Sequence, residues 1–390
     1  MIGGVDFKRW YDLALFFKKF KQEMKLNTPP VNLLALKFDD VQELVQGFGW
    51  PRYRSQQILK WLYQHRVFDI DGMTNLSKAD RTRLQRVAAI HRDELISRDV
   101  ASDGTGKYVW RLGDGLAVET VLIPEDRRRT LCLSSQVGCT LDCGFCLTAQ
   151  MGIKRNLRAQ EIIGQVLNVQ ADLPEGEHLT SLVFMGMGEP LMNFDVVADA
   201  IQRLTNMEWG LGFSPRRITV STAGWIPRFP DVRRLGVNLA ISLNGTTNAQ
   251  RDNLMPAVNA RYNLEALLTA CREYVNNSER PLTFEYVLLA GVNDTSEDAN
   301  RLSSLLRGIR CKVNLIPFNE FDGNPFRRPT PDVIDSFQQI VCRRGLDVFL
   351  RKSRGDDVLG ACGQLGRSAS DALGTLQTPF KRSLPLYAES

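Results

Sequence analysis

Cys139-Thr140-Leu141-Asp142-Cys143-Gly144-Phe145-Cys146 is the stretch on which the fold turns. Three of the chain's eight cysteines crowd into it, whereas Cys132, Cys271, Cys311, Cys342 and Cys362 are scattered. Zinc ribbons and rubredoxin-like sites need four ligands, usually as two C-x-x-C knuckles, and the sequence has no second knuckle. The three histidines, His65, His91 and His178, stand far apart in no metal-binding spacing, which argues against a His-rich zinc hydrolase. Three thiolates on one tight loop instead fit three corners of a 4Fe-4S cube and leave one iron open to a substrate or cofactor.

Downstream of this loop, strands and helices alternate. Apolar runs at 179–185, 217–221, 238–242, 283–289 and 311–316, with a shorter one at 349–350, predict strands. Helical periodicity fills 159–172, 194–207, 264–276, 296–307 and 331–343. Repeated βα units imply an α/β fold with a parallel sheet, closed or part-closed, and a site at the C-terminal ends of its strands. Upstream, alternating residues at 106–112 and 118–123 flank Gly113-Asp114-Gly115 and predict a β-hairpin.

From Asn32 to about Ile96 the period is helical. Asp39-Asp40 ahead of Val41, Leu44 and Val45 predicts one capped helix, Arg54 to Tyr63 a second, and 76–90 a third. Residues 1–30 precede this module. Leu13, Phe16, Phe17 and Phe20 there are spaced for one face of a short basic helix, but the apolar stretch 13–17 is too short for a membrane span or a secretory core, and Met24 offers an alternative start. We assign that extension no function.

The 390 residues include 49 Lys+Arg against 44 Asp+Glu, net +5, with 43% hydrophobic residues. This is an ordinary globular composition, and it excludes disorder, collagen and coiled coil. Cysteine usage points to a reducing, cytoplasmic compartment rather than a disulfide framework. The positive excess is concentrated in local groups, among them Arg127-Arg128-Arg129, Lys154-Arg155, Arg216-Arg217, Arg327-Arg328 and Arg351-Lys352 with Arg354, as a folded RNA would require.

The C-x-x-x-C-x-x-C spacing resembles the radical S-adenosylmethionine (SAM) superfamily, in which SAM chelates the open iron. Val183-Phe-Met-Gly186-Met-Gly188-Glu189-Pro190 matches that superfamily's glycine-rich turn, and no D/E-x-G-x-G-x-G of ordinary methyltransferases is present. From about Leu33 to Leu365 the chain more narrowly resembles the RlmN/Cfr family. The motifs carrying this likeness are Glu119-Thr-Val-x-Ile-Pro-Glu125, Cys132-x-Ser-Ser-Gln-Val-Gly-Cys139, Arg217-Ile-Thr-Val-Ser221, Ala240-Ile-Ser242-Leu-Asn244, Asn314-Leu-Ile-Pro-Phe-Asn319, and Arg354-Gly-Asp356-Asp357 followed by Ala361-Cys362-Gly-Gln-Leu365.

The resemblance implies a partial parallel (β/α)6-type radical SAM barrel, with a small N-terminal all-helical accessory domain over 31–98, a β-hairpin linker over 99–124, a core over 125–357 and a C-terminal segment over 358–390. It implies adenosine C2 methylation of 23S ribosomal RNA and of certain transfer RNAs, by a monomer fed by an electron donor such as flavodoxin. Cys139, Cys143 and Cys146 would hold the cluster. Gly188, Glu189, Ser221, Ser242, Leu243, Asn244 and Asn319 would contact SAM, of which two are used per turnover. Cys362 would carry the carbon as S-methylcysteine, attacked by a 5′-deoxyadenosyl radical. Cys132 would resolve the adduct through a transient disulfide with Cys362, and Glu119 would accept the proton.

By residue type alone, Glu119 reads as a solvated strand position and Cys132 and Cys362 as small buried hydrophobes. Cys271, Cys311 and Cys342 match no motif and are assigned to core packing. Asn244 stands where the family often has His, so a side-chain contact to SAM there is in question. The rival readings are a Cfr-type C8 methyltransferase, an activase of glycyl-radical enzymes, and a non-catalytic iron–sulfur RNA-binding or redox-sensing protein.

Overall fold

The computed structural model describes residues 29–372, so the stretch holding Leu13 to Phe20 lies outside the described residues. The frame is a ten-stranded sheet whose strands neighbour one another in strict chain order. We label them β1 (Glu94–Val100), β2 (Gly106–Arg111), β3 (Ala117–Glu125), β4 (Arg128–Cys132), β5 (Ser181–Phe184), β6 (Ile218–Thr222), β7 (Asn238–Ser242), β8 (Leu282–Leu288), β9 (Cys311–Pro317) and β10 (Asp347–Leu350). Strands β1 to β4 form an antiparallel meander, and from β4 to β10 every neighbouring pair is parallel. The hairpin expected at 106–123 is thus the middle of a meander continuous with the main sheet.

The helices are α1 (Phe38–Gly47), α2 (Tyr53–Tyr63), α3 (Lys78–Gln85), α4 (Leu147–Gln150), α5 (Ala159–Asp172), α6 (Phe194–Thr205), α7 (Phe229–Leu235), α8 (Asn248–Leu254), α9 (Pro256–Asn259), α10 (Leu264–Asn276), α11 (Ser296–Leu305), α12 (Pro331–Arg343) and α13 (Arg367–Ala372). Helices α5, α6, α7, α10, α11 and α12 cover one face of the parallel strands. That face carries the large apolar residues Phe184, Val220, Ile241, Phe284 and Val313, all essentially buried. Strand alternation leaves Ser221, Ser242, Glu285 and Asn314 on the opposite, inward face. Ser242, Glu285 and Asn314 share one register row.

The N-terminal module differs from its sequence reading in two places. The Asp39-Asp40 pair does cap α1, but from inside its first turn: the Asp40 carboxylate accepts from the Lys37 amide at 2.8 Å. The third helix is shorter than 76–90: it is capped by Ser77 and ends at Gln85. The next residues, Ala88–Ala89, instead pair in parallel with Val31–Asn32 and close the module. Glu94–Val100, where the helical reading overran, is the edge strand β1. Two β-branched residues and short polar side chains in that strand favour a pleated, half-exposed conformation.

The module docks on α6 and the loop after it. Arg203, 3% exposed, donates to the Leu34 carbonyl at 2.8 Å while paired with Asp199, and Trp209 stacks on Phe38 at 5.3 Å. Among the described residues no helix is long and apolar enough to cross a membrane.

Candidate active site

The cluster loop leaves β4, runs through a short antiparallel pair (Gln136–Val137 with Arg155–Asn156) and enters α5. Arg155 pins its return: it grips Glu161 through two bonds of 2.8 and 2.9 Å and donates to Asp114 at 2.6 Å. Within the loop the Leu141 amide points at the Cys139 sulfur (3.4 Å), and Cys146 opens α4 with its sulfur facing the backbone N–H groups of Thr148 and Ala149. Burial is the main reason all three thiols titrate above their ordinary value, and the charge of Cys146 raises Cys139 and Cys143 further. The loop rests on an apolar floor of Leu254, Met255, Val258, Phe318 and Phe326.

Among the described residues no three His, Cys, Asp or Glu side chains converge enough to hold one metal ion. That fits the donor set of a multi-iron cluster, whose thiolates bind different irons and whose sulfurs take N–H donors as these do. Three buried sulfurs that raise one another's titration hold their protons until a cationic centre takes their place. The residues present therefore fit a 4Fe-4S group and fit a single zinc poorly.

The turn after β5 forms the next wall. Gly188 has φ +98°, and a Cβ there would stand 2.5 Å from the Gln136 side chain, so the position admits no side chain and leaves bare backbone at the mouth. Glu189, 3% exposed, accepts from the Leu191 amide at 3.1 Å and the Ala223 amide at 2.8 Å, tying this turn to the end of β6. Burial raises its carboxyl to about 7 against those bonds.

Ser221 and Ser242 end β6 and β7 on the inward face. Leu243 is fully buried; its amide donates to the Glu285 carbonyl at 2.9 Å and its carbonyl accepts from Arg251. Asn244, at φ +54°, uses its side chain internally: Oδ1 accepts from the Val287 amide at 2.9 Å and the amide nitrogen faces the Met255 sulfur. Asn244, standing where the family often has His, thus braces β7 against β8. Asn319, beyond β9, donates to the Cys362 carbonyl at 3.1 Å and accepts from Ser353 at 2.6 Å.

Cys362 lies on a loop clamped between these walls. Leu147 donates to the Gly363 carbonyl at 2.7 Å, Thr148 to the Leu365 carbonyl at 2.6 Å, and Gln364 to the Glu320 carbonyl at 2.8 Å. Cys362 is solvent-exposed, yet the protein atoms around its sulfur still raise the thiol above its ordinary value by desolvation. Glu285 raises it further and Arg351 opposes. Cys132, 7% exposed at the end of β4, is raised by burial and next by the charge of Cys362. The structure thus brings together two thiols 230 residues apart in sequence.

Register explains why Glu119 joins them. Val121 pairs with Cys132 across β3 and β4, and Glu119, two residues earlier on β3, shares their face. Far from being a solvated strand position, Glu119 is wholly buried. Its Oε1 accepts from the Ala369 amide at 2.8 Å at the start of α13, and its Oε2 has no partner. Desolvation raises the carboxyl, with Lys107 opposing.

Of the cysteines assigned to packing, Cys271 is buried and Cys311 half-buried, but Cys342 is exposed near the end of α12. Its apolar neighbours Ile340 and Val341 misled the sequence reading, because Val341 faces inward while the adjacent position turns outward. Several basic residues are engaged internally: Arg129 with Glu177, Arg155 with Glu161, Arg354 with Asp103. Gln136, whose Oε1 accepts from the Glu189 amide at 2.9 Å, and the buried Arg251 and Glu285 were not found from sequence, because lone polar residues carry no periodic signal.

Comparison with known proteins agrees with this arrangement. Residues 31–90 match the family model of the ribosomal RNA large subunit methyltransferase N-terminal domain, and residues 133–302 match the radical SAM superfamily. The chain is 48% identical over 347 residues to the dual-specificity RNA methyltransferase RlmN of Geobacter sulfurreducens, covering 88% of this chain and 94% of that one. It is 49% identical over 335 residues to the RlmN of Desulfosudis oleivorans, covering 86% and 89%. The crystal structure of a radical SAM methyltransferase from Sphaerobacter thermophilus superposes with a TM-score of 0.82 at 41% identity, covering 86% of this chain and 99% of that chain.

Proposed function

Because the chain belongs to the RlmN family of dual-specificity RNA methyltransferases, we propose that it methylates C2 of one adenosine in 23S ribosomal RNA and of an adenosine in certain transfer RNAs, with Cys362 as the carbon carrier. It is a radical SAM enzyme of the transferase class. The observation that carries the finer reading is the convergence of Cys132, Cys362 and Glu119 beside the three-cysteine loop, since ordinary SAM methylation needs none of them.

C2 of adenine bears an unactivated C–H and is too electron-poor to attack the methyl group of SAM. A cluster held by Cys139, Cys143 and Cys146, with SAM at Gly188, Glu189, Ser221, Ser242, Leu243, Asn244 and Asn319, supplies when bound both a methyl donor and a 5′-deoxyadenosyl radical. The chain's own residues do the rest. Cys362 presents its sulfur on a loop clamped to the cluster loop and to Asn319, so that carrier and cofactor walls are held together. Glu119 takes the C2 proton once base and sulfur are joined. The Cys132 thiol then attacks the Cys362 sulfur: the disulfide forms, the carbon–sulfur bond breaks with its electron pair going to the bridging carbon, and that carbon takes up the proton the thiol gives up, completing the methyl group on the RNA.

The helical module over 31–98 and the basic groups at the mouth bind the RNA fold, the core spans 125–357, the segment 358–390 carries the sulfur, and a donor such as flavodoxin supplies electrons to a monomer. Mass spectrometry of ribosomal and transfer RNA nucleosides tests the reading. Cells lacking the protein lose 2-methyladenosine, wild type restores it, and Cys362→Ala does not. Appearance of 8-methyladenosine instead, or restoration by Cys362→Ala, contradicts it.

A further inference from the structure

Arg251, on α8, is fully buried, and every acceptor it reaches is uncharged. It donates to the carbonyls of Ala223 (3.2 Å), Ser242 (3.3 Å) and Leu243 (2.5 Å) and to Asn259 Oδ1 (3.0 Å), and it faces the Met255 sulfur at 3.9 Å. Asp252 is linked to it only through Asn259, whose amide nitrogen donates to that carboxylate at 2.7 Å. A buried cation without an ion pair is costly, and such a charge persists where an anion answers it.

The next turn of chain packs against the three-cysteine loop. Leu254 accepts from the Gly144 amide at 3.0 Å, the Ala257 amide donates to Asp142 at 3.0 Å, and Leu254, Met255 and Val258 form the floor under the three cysteines. Of the charges acting on Arg251, that of the Cys143 thiolate is the largest. Bare Cys143 is itself governed by burial and by its two sulfur neighbours, so the guanidinium matters to the loop once those sulfurs are held as thiolates.

We infer that Arg251 is a positioning residue with two duties: it clamps the carbonyl ends of β6 and β7 at the mouth, and it provides the permanent positive charge opposite the iron–sulfur centre that sets how readily the centre accepts an electron. The inference rests on the cluster reading above. One-electron reduction adds one negative charge to the centre and takes up no proton, so a fixed cation in a low-dielectric wall stabilises the reduced form. Removing the charge makes the centre harder to reduce, whereas a shorter cation preserves most of the effect.

The test is a redox titration of the full-length, anaerobically reconstituted protein without RNA, with dithionite as reductant and the paramagnetic signal of the reduced cluster as readout. At the wild-type midpoint, Arg251→Met lowers the reduced-to-oxidised ratio about tenfold, equivalent to about 59 mV for a one-electron couple. Arg251→Lys stays within about threefold of wild type, about half that interval on the same logarithmic scale. If Arg251→Met does not fold, Arg251→Gln, neutral and still able to hydrogen-bond, takes its place in the comparison. Equal shifts in the neutral and Lys variants, or none in either, overturn the charge role and leave only carbonyl clamping. A wild-type protein that assembles no cluster overturns the cluster reading itself, and this is seen before any variant is made.

Discussion

Glu119 shows how one residue acquires chemistry from its surroundings. On a strand of alternating residues it could face water, but the register of β3 with β2 and β4 turns it inward with Cys132, and α13 covers it. Its carboxyl lies above the ordinary value of 4.5, chiefly through desolvation. The folded value exceeds the unfolded one, so the proton is held more tightly in the native state. The stability this contributes is present at low pH and is lost as pH rises through the folded value. The proposed role as proton acceptor has the opposite requirement, since only an ionised carboxylate takes up a proton. Single-turnover release of the enzyme–RNA adduct is therefore expected to show an acid limb above pH 4.5. Glu119→Gln removes that limb and slows release by roughly 10²- to 10⁴-fold, the usual worth of a positioned base. A limb unchanged in Glu119→Gln assigns the proton to another group.

At the scale of elements, the segment from β10 to α13 is the moving part of the account. It bonds the cluster loop through Leu147 and Thr148, Asn319 through the Cys362 carbonyl, and Glu119 through Ala369. In the proposed reaction, loosening of 366–369 would also release Glu119 Oε1 from the Ala369 amide. Gly366 is the joint: its φ is +122°, and a Cβ there would meet the Met151 sulfur at 2.4 Å. Gly366→Ala is expected to weaken docking by about 1–3 kcal/mol, and thus to speed hydrogen exchange at the Leu147 and Ala369 amides by about tenfold or more. Unchanged protection shows that the segment is anchored elsewhere.

The strands, most helices and the cluster loop were legible because apolar period and cysteine spacing are local signals. The third helix of the module was overextended because Val87 and Ala88 continue an apolar pattern that the pairing with Val31–Asn32 claims for a strand. The edge strand β1 was missed because its half-exposed residues show no clean alternation. Residue type alone gave no hint that Cys132 meets Cys362, a consequence of sheet order and of the C-terminal clamp; only the family resemblance pointed to it.

For the whole molecule, the helical module is fixed to α6 by Arg203 and the stacked Phe38 and Trp209, and the meander joins module and barrel into one sheet-based body. An RNA bound across module and mouth thus meets a preset distance between the two. The sequence's basic excess resolves into residues of two kinds, those locked in internal pairs such as Arg129 and Arg155, and those such as Arg351 whose charge acts on Cys362. The central claim is that the RNA is joined to the protein through Cys362 and released by Cys132. The most direct measurement is denaturing electrophoresis and mass spectrometry of the cluster-loaded protein incubated anaerobically with SAM, reductant and a 23S RNA fragment. Cys132→Ala is predicted to accumulate a covalent enzyme–RNA adduct mapped to Cys362, while Cys362→Ala forms none. Inactivity without adduct in both variants contradicts the account.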